Sequence, residues 1–182
     1  GSEDGFDALF ERGLLVEIEP GRGAFRHALT REAIYGDISW ARRRALHRQV
    51  AERLQAGGVA PLAVAEHWLA AKEPERARVA LLAAAEQACA IHAYRDSAGA
   101  AQRALELWPE DEDLSRRIEV LESHAAWAEL GGDLPAAARS WREVSELCAE
   151  DAGALATARR RLARVLAIQG DRTGAIEALS EI

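Results

Sequence analysis

Leu121-Glu122-Ser123-His124-Ala125-Ala126-Trp127-Ala128-Glu129-Leu130-Gly131-Gly132-Asp133-Leu134-Pro135-Ala136-Ala137-Ala138-Arg139-Ser140-Trp141-Arg142-Glu143-Val144 reads as two helices folded back on each other. Ala125 and Ala137 are small enough for the antiparallel pair to approach closely. Gly132-Asp133 makes the turn, and Trp141 fills the space between the helices. The frame returns downstream at Ala163, Leu166, Gly170-Asp171, Ala175 and Leu179, 38 residues later. It returns upstream, 40 residues earlier, at Ala85, Ala88, His92, Tyr94, Ser97, Ala101, Ala104 and Pro109, with His92 where glycine belongs. Ala65, Trp68, Ala77, Leu81 and Ala84 fit a further copy that overlaps the next. The pattern predicts helices near 61–72, 75–91, 94–107, 112–130, 134–149, 153–169 and 172–182. Pro61, Pro74, Pro109 and Pro135 all fall at helix starts or ends, where proline belongs.

A repeating helix pair of this kind resembles the tetratricopeptide (TPR) repeat, with periods longer than the usual roughly 34 residues. The resemblance implies an all-α fold in which pairs stack into a right-handed helical-repeat superhelix, because no pair can bury its apolar face alone. Such arrays present a concave surface to peptides or protein segments. The array stops at Ile182 inside a helical pattern, so an apolar end open to self-association is expected.

Composition agrees with closely packed helices. Apolar residues make up 49% of the chain, much of it alanine, while aromatics are only 5%, which favours helices over a β-sandwich. The net charge of −7 argues against a surface built mainly for nucleic acid. Residues 1–56 carry nine Lys/Arg and nine Asp/Glu, whereas 57–182 carry fourteen against twenty-one. That shift, near Gly57-Gly58, predicts a boundary between a first segment, 1–56, and the repeats, 57–182. Cys89 and Cys148 are too few and isolated for a disulfide framework, which points to a reducing, cytoplasmic setting. No apolar run approaches the roughly 20 residues of a membrane span, so no membrane partner is expected. Gly1-Ser2 resembles a tag-cleavage scar, and the chain reads as an excised piece of a longer protein.

In the first segment, Phe6, Leu9 and Phe10 have helical spacing and Gly13 suits a stop after Arg12. Leu14 to Glu19 is a strand candidate, Pro20-Gly21-Arg22-Gly23 a turn, and Ala24-Phe25-Arg26 the return strand. Leu29, Ala33, Ile34 and Ile38 mark an apolar stripe on a short helix. Ser39 is a good N-cap for a helix from Trp40 to about Gln55. There Leu46, Val50 and Leu54 are expected to face inward, with Trp40 near the start. Helix followed by hairpin is how a winged-helix domain ends.

Phe25-Arg26-His27-Ala28-Leu29, Arg31-Glu32-Ala33-Ile34-Tyr35, Arg43-Arg44-Ala45-Leu46-His47 and Val50-Ala51-Glu52-Arg53-Leu54 together resemble the junction in STAND-type signalling ATPases, notably the large ATP-binding LuxR-type transcriptional regulators. The resemblance is specific over about residues 9–54 and generic beyond. It implies a winged-helix remnant that follows a nucleotide-binding domain and precedes the repeats, with ATP or ADP as the whole protein's ligand. A DNA-binding effector would be a separate domain. In that family a histidine after the wing reaches the β-phosphate of ADP. His27, beside Arg26, is similar in placement, although Ala28 stands where the related motif has aspartate. An imidazole can donate a hydrogen bond to phosphate, more strongly when charged; the alternative is that His27 caps or packs the following helix.

Arg42, Arg43, Arg44 and Arg48 offer phosphate contacts or, alternatively, a docking face for the nucleotide-binding domain. Arg159, Arg160, Arg161 and Arg164 offer a partner for the acidic run Glu110-Asp111-Glu112-Asp113 of another copy, or a solvated face. The five tryptophans read as core. No phosphate loop, dinucleotide turn or metal-ligand spacing occurs in the sequence, so no cofactor, metal or catalytic residue is expected in this piece. The leading expectation is a non-catalytic regulatory fragment of a multidomain bacterial signalling ATPase, whose arm takes a protein or small inducer. A stand-alone TPR adaptor is the rival. Nucleic-acid binding by the winged-helix remnant is a third, weaker on account of the short helix before the wing.

Overall fold

The computed structural model describes residues 3–19, 22–58, 60–109 and 113–180. The chain is mostly helical, with one small two-stranded antiparallel sheet. Its order is α1 (Glu3–Glu11), β1 (Leu15–Glu19), β2 (Arg22–Phe25), α2 (Ala28–Asp37), α3 (Trp40–Ala56), α4 (Pro61–Ala70), α5 (Pro74–Ala90), α6 (Tyr94–Glu106), α7 (Leu114–Gly131), α8 (Leu134–Leu147), α9 (Ala152–Gln169) and α10 (Arg172–Ser180). Contacts divide the chain into two units, Gly1–Leu46 and His47–Ile182. The division falls inside α3, ten residues before the shift in charge.

In the first unit α1 ends as its sequence dictates. Gly13 adopts φ +67, its N–H reaches the Phe10 carbonyl at 2.9 Å and the Leu14 N–H reaches Leu9 at 3.0 Å. β1 and β2 pair Leu15 with Phe25, Val16 with Ala24 and Glu17 with Gly23, then slip before Glu19 meets Arg22. A Cβ at Gly23 would lie 2.9 Å from the Phe10 ring, which would have to swing aside. Pro20 and Gly21 of the expected turn lie outside the described residues. Ser39 caps α3 as expected, its Oγ accepting from the Arg42 N–H at 3.4 Å.

The short helix α2 forms over the apolar stripe, and none of its residues is buried; Leu29 is 79% exposed. The inward-facing expectation for α3 fails in part. On α3, Trp40 is 67% exposed, and Leu46 and Val50 are also exposed. Of the three residues expected to face inward, Leu46, Val50 and Leu54, Leu54 alone is half-buried. The inward line is His47, Ala51 and Leu54, with Ala51 fully buried.

The second unit is a run of helices in which each packs on the next, α4 on α5 through α9 on α10. Its core is built on alanine. Ala65, Ala77, Ala85, Ala101, Ala104, Ala125 and Ala137 are fully buried, so backbones approach closely. Larger side chains, Trp68, Leu81, Leu121, Val144 and Val165, fill the spaces between.

One joint recurs four times. Lys72, His92, Gly132 and Gly170 all take positive φ, at 61, 62, 83 and 87. In each case the following N–H bonds a carbonyl five residues back: Glu73 to Trp68, Ala93 to Ala88, Asp133 to Ala128 and Asp171 to Leu166, at 2.8–3.0 Å. This is the Schellman closure of a helix end. At the last two joints the next residue is aspartate, which also begins the following helix. The Asp133 carboxylate accepts from the Ala136 N–H at 3.0 Å and Asp171 from the Gly174 N–H at 2.9 Å. Gly-Asp therefore ends one helix and starts the next within two residues.

The earlier joints lack both halves of this device, since Lys72 and His92 carry a Cβ and neither Glu73 nor Ala93 caps with its side chain. A left-handed non-glycine residue costs roughly 1 kcal/mol or more, and an N-cap aspartate contributes about 1 kcal/mol. The pair His92→Gly with Ala93→Asp is expected to raise stability by about 1–2 kcal/mol. A thermal melt checks it: the midpoint should rise by at least ~2 °C.

Candidate functional site

His27 is the N-cap residue of α2 by its backbone, at φ −126 and ψ 129, but its side chain makes no cap hydrogen bond. The imidazole is exposed, as is Arg26. The capping alternative for His27 therefore has no bond behind it. The Arg43 guanidinium lies over the Tyr35 ring, 5.0 Å from its centre, and Arg44 lies 5.8 Å from the Trp40 ring centre. Arg48 forms an ion pair with Glu73. Arg42 is exposed. Arg43, Arg44 and Arg48 are thus engaged within their own surroundings.

Farther along, Arg164 approaches Glu129 at 3.9 Å and Arg160 bonds the Thr157 hydroxyl at 3.2 Å. Glu110, Asp111 and Glu112 of the acidic run lie outside the described residues. Trp68 and Trp141 are core, Trp108 and Trp127 are half-buried, and Trp40 is surface.

Sequence spacing alone did not reveal three other groupings. His47 and His67 bring their Nδ1 atoms within 2.9 Å. One ring must donate and the other accept, so the contact requires at least one neutral imidazole. Inside the array His124 is buried, and its Nδ1 lies 2.7 Å from the Ser140 hydroxyl oxygen, also buried. That hydroxyl is enclosed between α7 and α8, which suits packing and not nucleophilic attack. Arg78 is buried with its guanidinium 4.5 Å from the centre of the Trp108 ring, an arrangement that turns a charged side chain into part of the core. Among the described residues no cluster of three metal-ligating side chains exists.

A groove of about 880 Å³ is formed by the end of α3 with α4 and α5. Val64, Trp68, Val79 and Ala80 give it an apolar lining, and Glu52, Glu75 and Arg76 stand on it. Arg76 lies over the Trp68 indole, 4.6 Å from the ring centre, and its Nη1 is 3.6 Å from a Glu52 carboxylate oxygen. No family model and no curated protein matches this chain. The geometry of its own residues therefore carries what can be said of the site. That geometry offers binding surface: an apolar recess of ligand size, and an exposed imidazole at a helix start.

Burial, and then the charge of Arg139, holds His124 below the ordinary imidazole value, while Asp133 and Glu143 pull the other way. Burial, and then His67, lowers His47. With lowered folded values, the unfolded chain takes up these protons first as pH falls. Stability is fully present above the ordinary value of about 6.5 and is lost below it. Urea midpoints are expected to agree at pH 8 and 7.5 and to fall from pH 6.5 to 5, with His124→Gln flattening the slope. The Cys148 thiol is pushed up, by burial first and then by Glu122 and Asp151, so it is a poor nucleophile at neutral pH. No helix among the described residues is long and apolar enough to cross a membrane.

Proposed function

We propose that this chain is a non-catalytic regulatory piece of a STAND-type signalling ATPase, a transcriptional regulator of the LuxR-type class, linking nucleotide state to a TPR-like arm. In this reading α1 and the hairpin are the end of a winged helix, and α4–α10 stack as a right-handed repeat superhelix. The arm takes a protein or small inducer and supports self-association. DNA is reached only through a separate effector, and the protein works in the cytoplasm. The motifs from Phe25 to Leu54 support the family, and the repeated joint at Lys72, His92, Gly132 and Gly170 supports the repeats.

The observation that carries the proposal is the run of exposed apolar side chains in the first unit. Leu29, Ile34, Tyr35 and Trp40 stand exposed within twelve residues. An apolar stretch of this kind marks an interaction surface, and the protein's own nucleotide-binding domain is the partner proposed for it. His27 immediately precedes that stretch, and in this reading it donates to a β-phosphate oxygen of ADP held by the partner domain. The test is ADP retention by the full-length protein. His27→Ala should speed ADP release, and hydrogen exchange across 28–40 should slow when the nucleotide-binding domain is attached. Unchanged ADP release, or an upstream region with no phosphate-binding loop, overturns the reading.

A further inference from the structure

The groove on α3–α5 has the size and character of a small-molecule site. Its volume, about 880 Å³, lies in the range of sites that enclose a ligand, which are mostly apolar with a few placed polar groups. The polar groups here are biased in charge. Glu52 and Glu75 are acidic, Gln55 and Gln87 are neutral amides, and Arg76 is the one base among the described lining residues. Arg76 is already used. It rests on the Trp68 ring and shares Glu52 at a distance, 3.6 Å, typical of a loose surface pair. Both partners are more than half exposed, so the pair is weak and easily exchanged. Glu75 stands on the same groove, and among the described residues it takes part in no ion pair on this surface, unlike Glu52, Glu66 and Glu73. The arginine thus occupies a place that any cation would favour, between an indole face and carboxylates.

We propose that this groove binds an apolar organic amine, whose hydrocarbon body lies along Val64, Val79 and Ala80 and whose ammonium sits by Glu75 and Glu52, displacing Arg76 from Trp68. The charge bias and the resident guanidinium select a cation over an anion. The apolar walls and the ligand-scale volume select a hydrophobic small molecule over a free metal ion. The inference stands on the second unit alone, so it holds or fails independently of any upstream nucleotide-binding domain.

Three probes of nearly one shape test it by calorimetry: 2-(1-naphthyl)ethylamine, 2-(1-naphthyl)ethanol and 3-(1-naphthyl)propionate. The amine is expected to bind about tenfold more tightly than the alcohol, the scale of one cation–π contact together with an exposed ion pair. The carboxylate should bind more weakly than either. Glu75→Gln should erase the preference for amine over alcohol. Arg76→Ala should strengthen amine binding severalfold by vacating the indole face, which a merely acidic surface would not do in this selective way. Val79→Arg should block all three probes. Each substituted residue is exposed, and unchanged melting curves confirm that the fold survives.

Equal binding of amine and alcohol overturns the proposal. So does an unchanged preference in Glu75→Gln, weaker amine binding in Arg76→Ala, or no binding of any probe at millimolar concentration. An equal loss of preference from Glu122→Gln on the distant helix α7 would reduce the effect to diffuse charge and overturn it too.

Discussion

Trp68→Ala is expected to cost about 3–5 kcal/mol, the range for emptying an aromatic site from a packed core. Trp68 is only 2% exposed and sits among Ala51, Val64, Ala65, Ala71, Ala77, Ala80 and Leu81. Its neighbours are mostly alanines on helices already in close contact, and small side chains have no rotamer with which to refill the space. The cavity term should therefore persist. Against a total stability of roughly 5–15 kcal/mol, the loss removes a large fraction and leaves a substantial unfolded population on mild warming. Urea unfolding followed by circular dichroism gives the value; a loss under about 1 kcal/mol would mean that α4 and α5 collapse onto each other. Trp68→Phe should cost much less, because it keeps a ring in the site.

Ala125→Leu is expected to be nearly as damaging for the opposite reason. Ala125 on α7 and Ala137 on α8 are both fully closed to solvent, and the two helices pack directly on each other. Three added carbons must push the helices apart or adopt a poor rotamer, and such overpacking costs up to about 3 kcal/mol. The adjacent Ala126 is exposed, so Ala126→Leu should change stability by less than about 0.5 kcal/mol. The pair forms a clean comparison: same chemistry, same helix, one position closed to solvent and its neighbour open. Equal effects at both positions would mean that α7 is rotated about its axis from the orientation described.

The array was legible in the sequence because its punctuation is covalent chemistry. Pro61, Pro74 and Pro135 fix helix starts, and Gly132-Asp133 and Gly170-Asp171 fix joints by backbone freedom and a carboxylate cap. Even His92 was recognisable, by its position in the frame, as standing where the backbone turns left-handed. The inward face of α3 was not. Its seam runs through a histidine and an alanine, residues that carry little hydrophobic signal, while the larger Leu46 and Val50 drew attention to the wrong side. Arg78 was hidden by its charge, since nothing local says that Trp108, thirty residues on, will cover it. The groove drew its parts from three helices, so only the folded chain brings Glu52, Trp68 and Glu75 together. His27 was found from a motif, and its geometry adds that the imidazole is uncommitted to capping.

In the second unit the main partners of each helix are the ones that precede and follow it in the chain, and this has a kinetic consequence. Every important contact closes a short stretch of chain, so little loop entropy must be lost before packing repays it. Chains dominated by such local contacts cross their folding barrier in microseconds to milliseconds. His47–Ile182 should therefore refold within that window after dilution from urea. A slow phase of seconds would have to come from proline isomerisation in the unfolded chain.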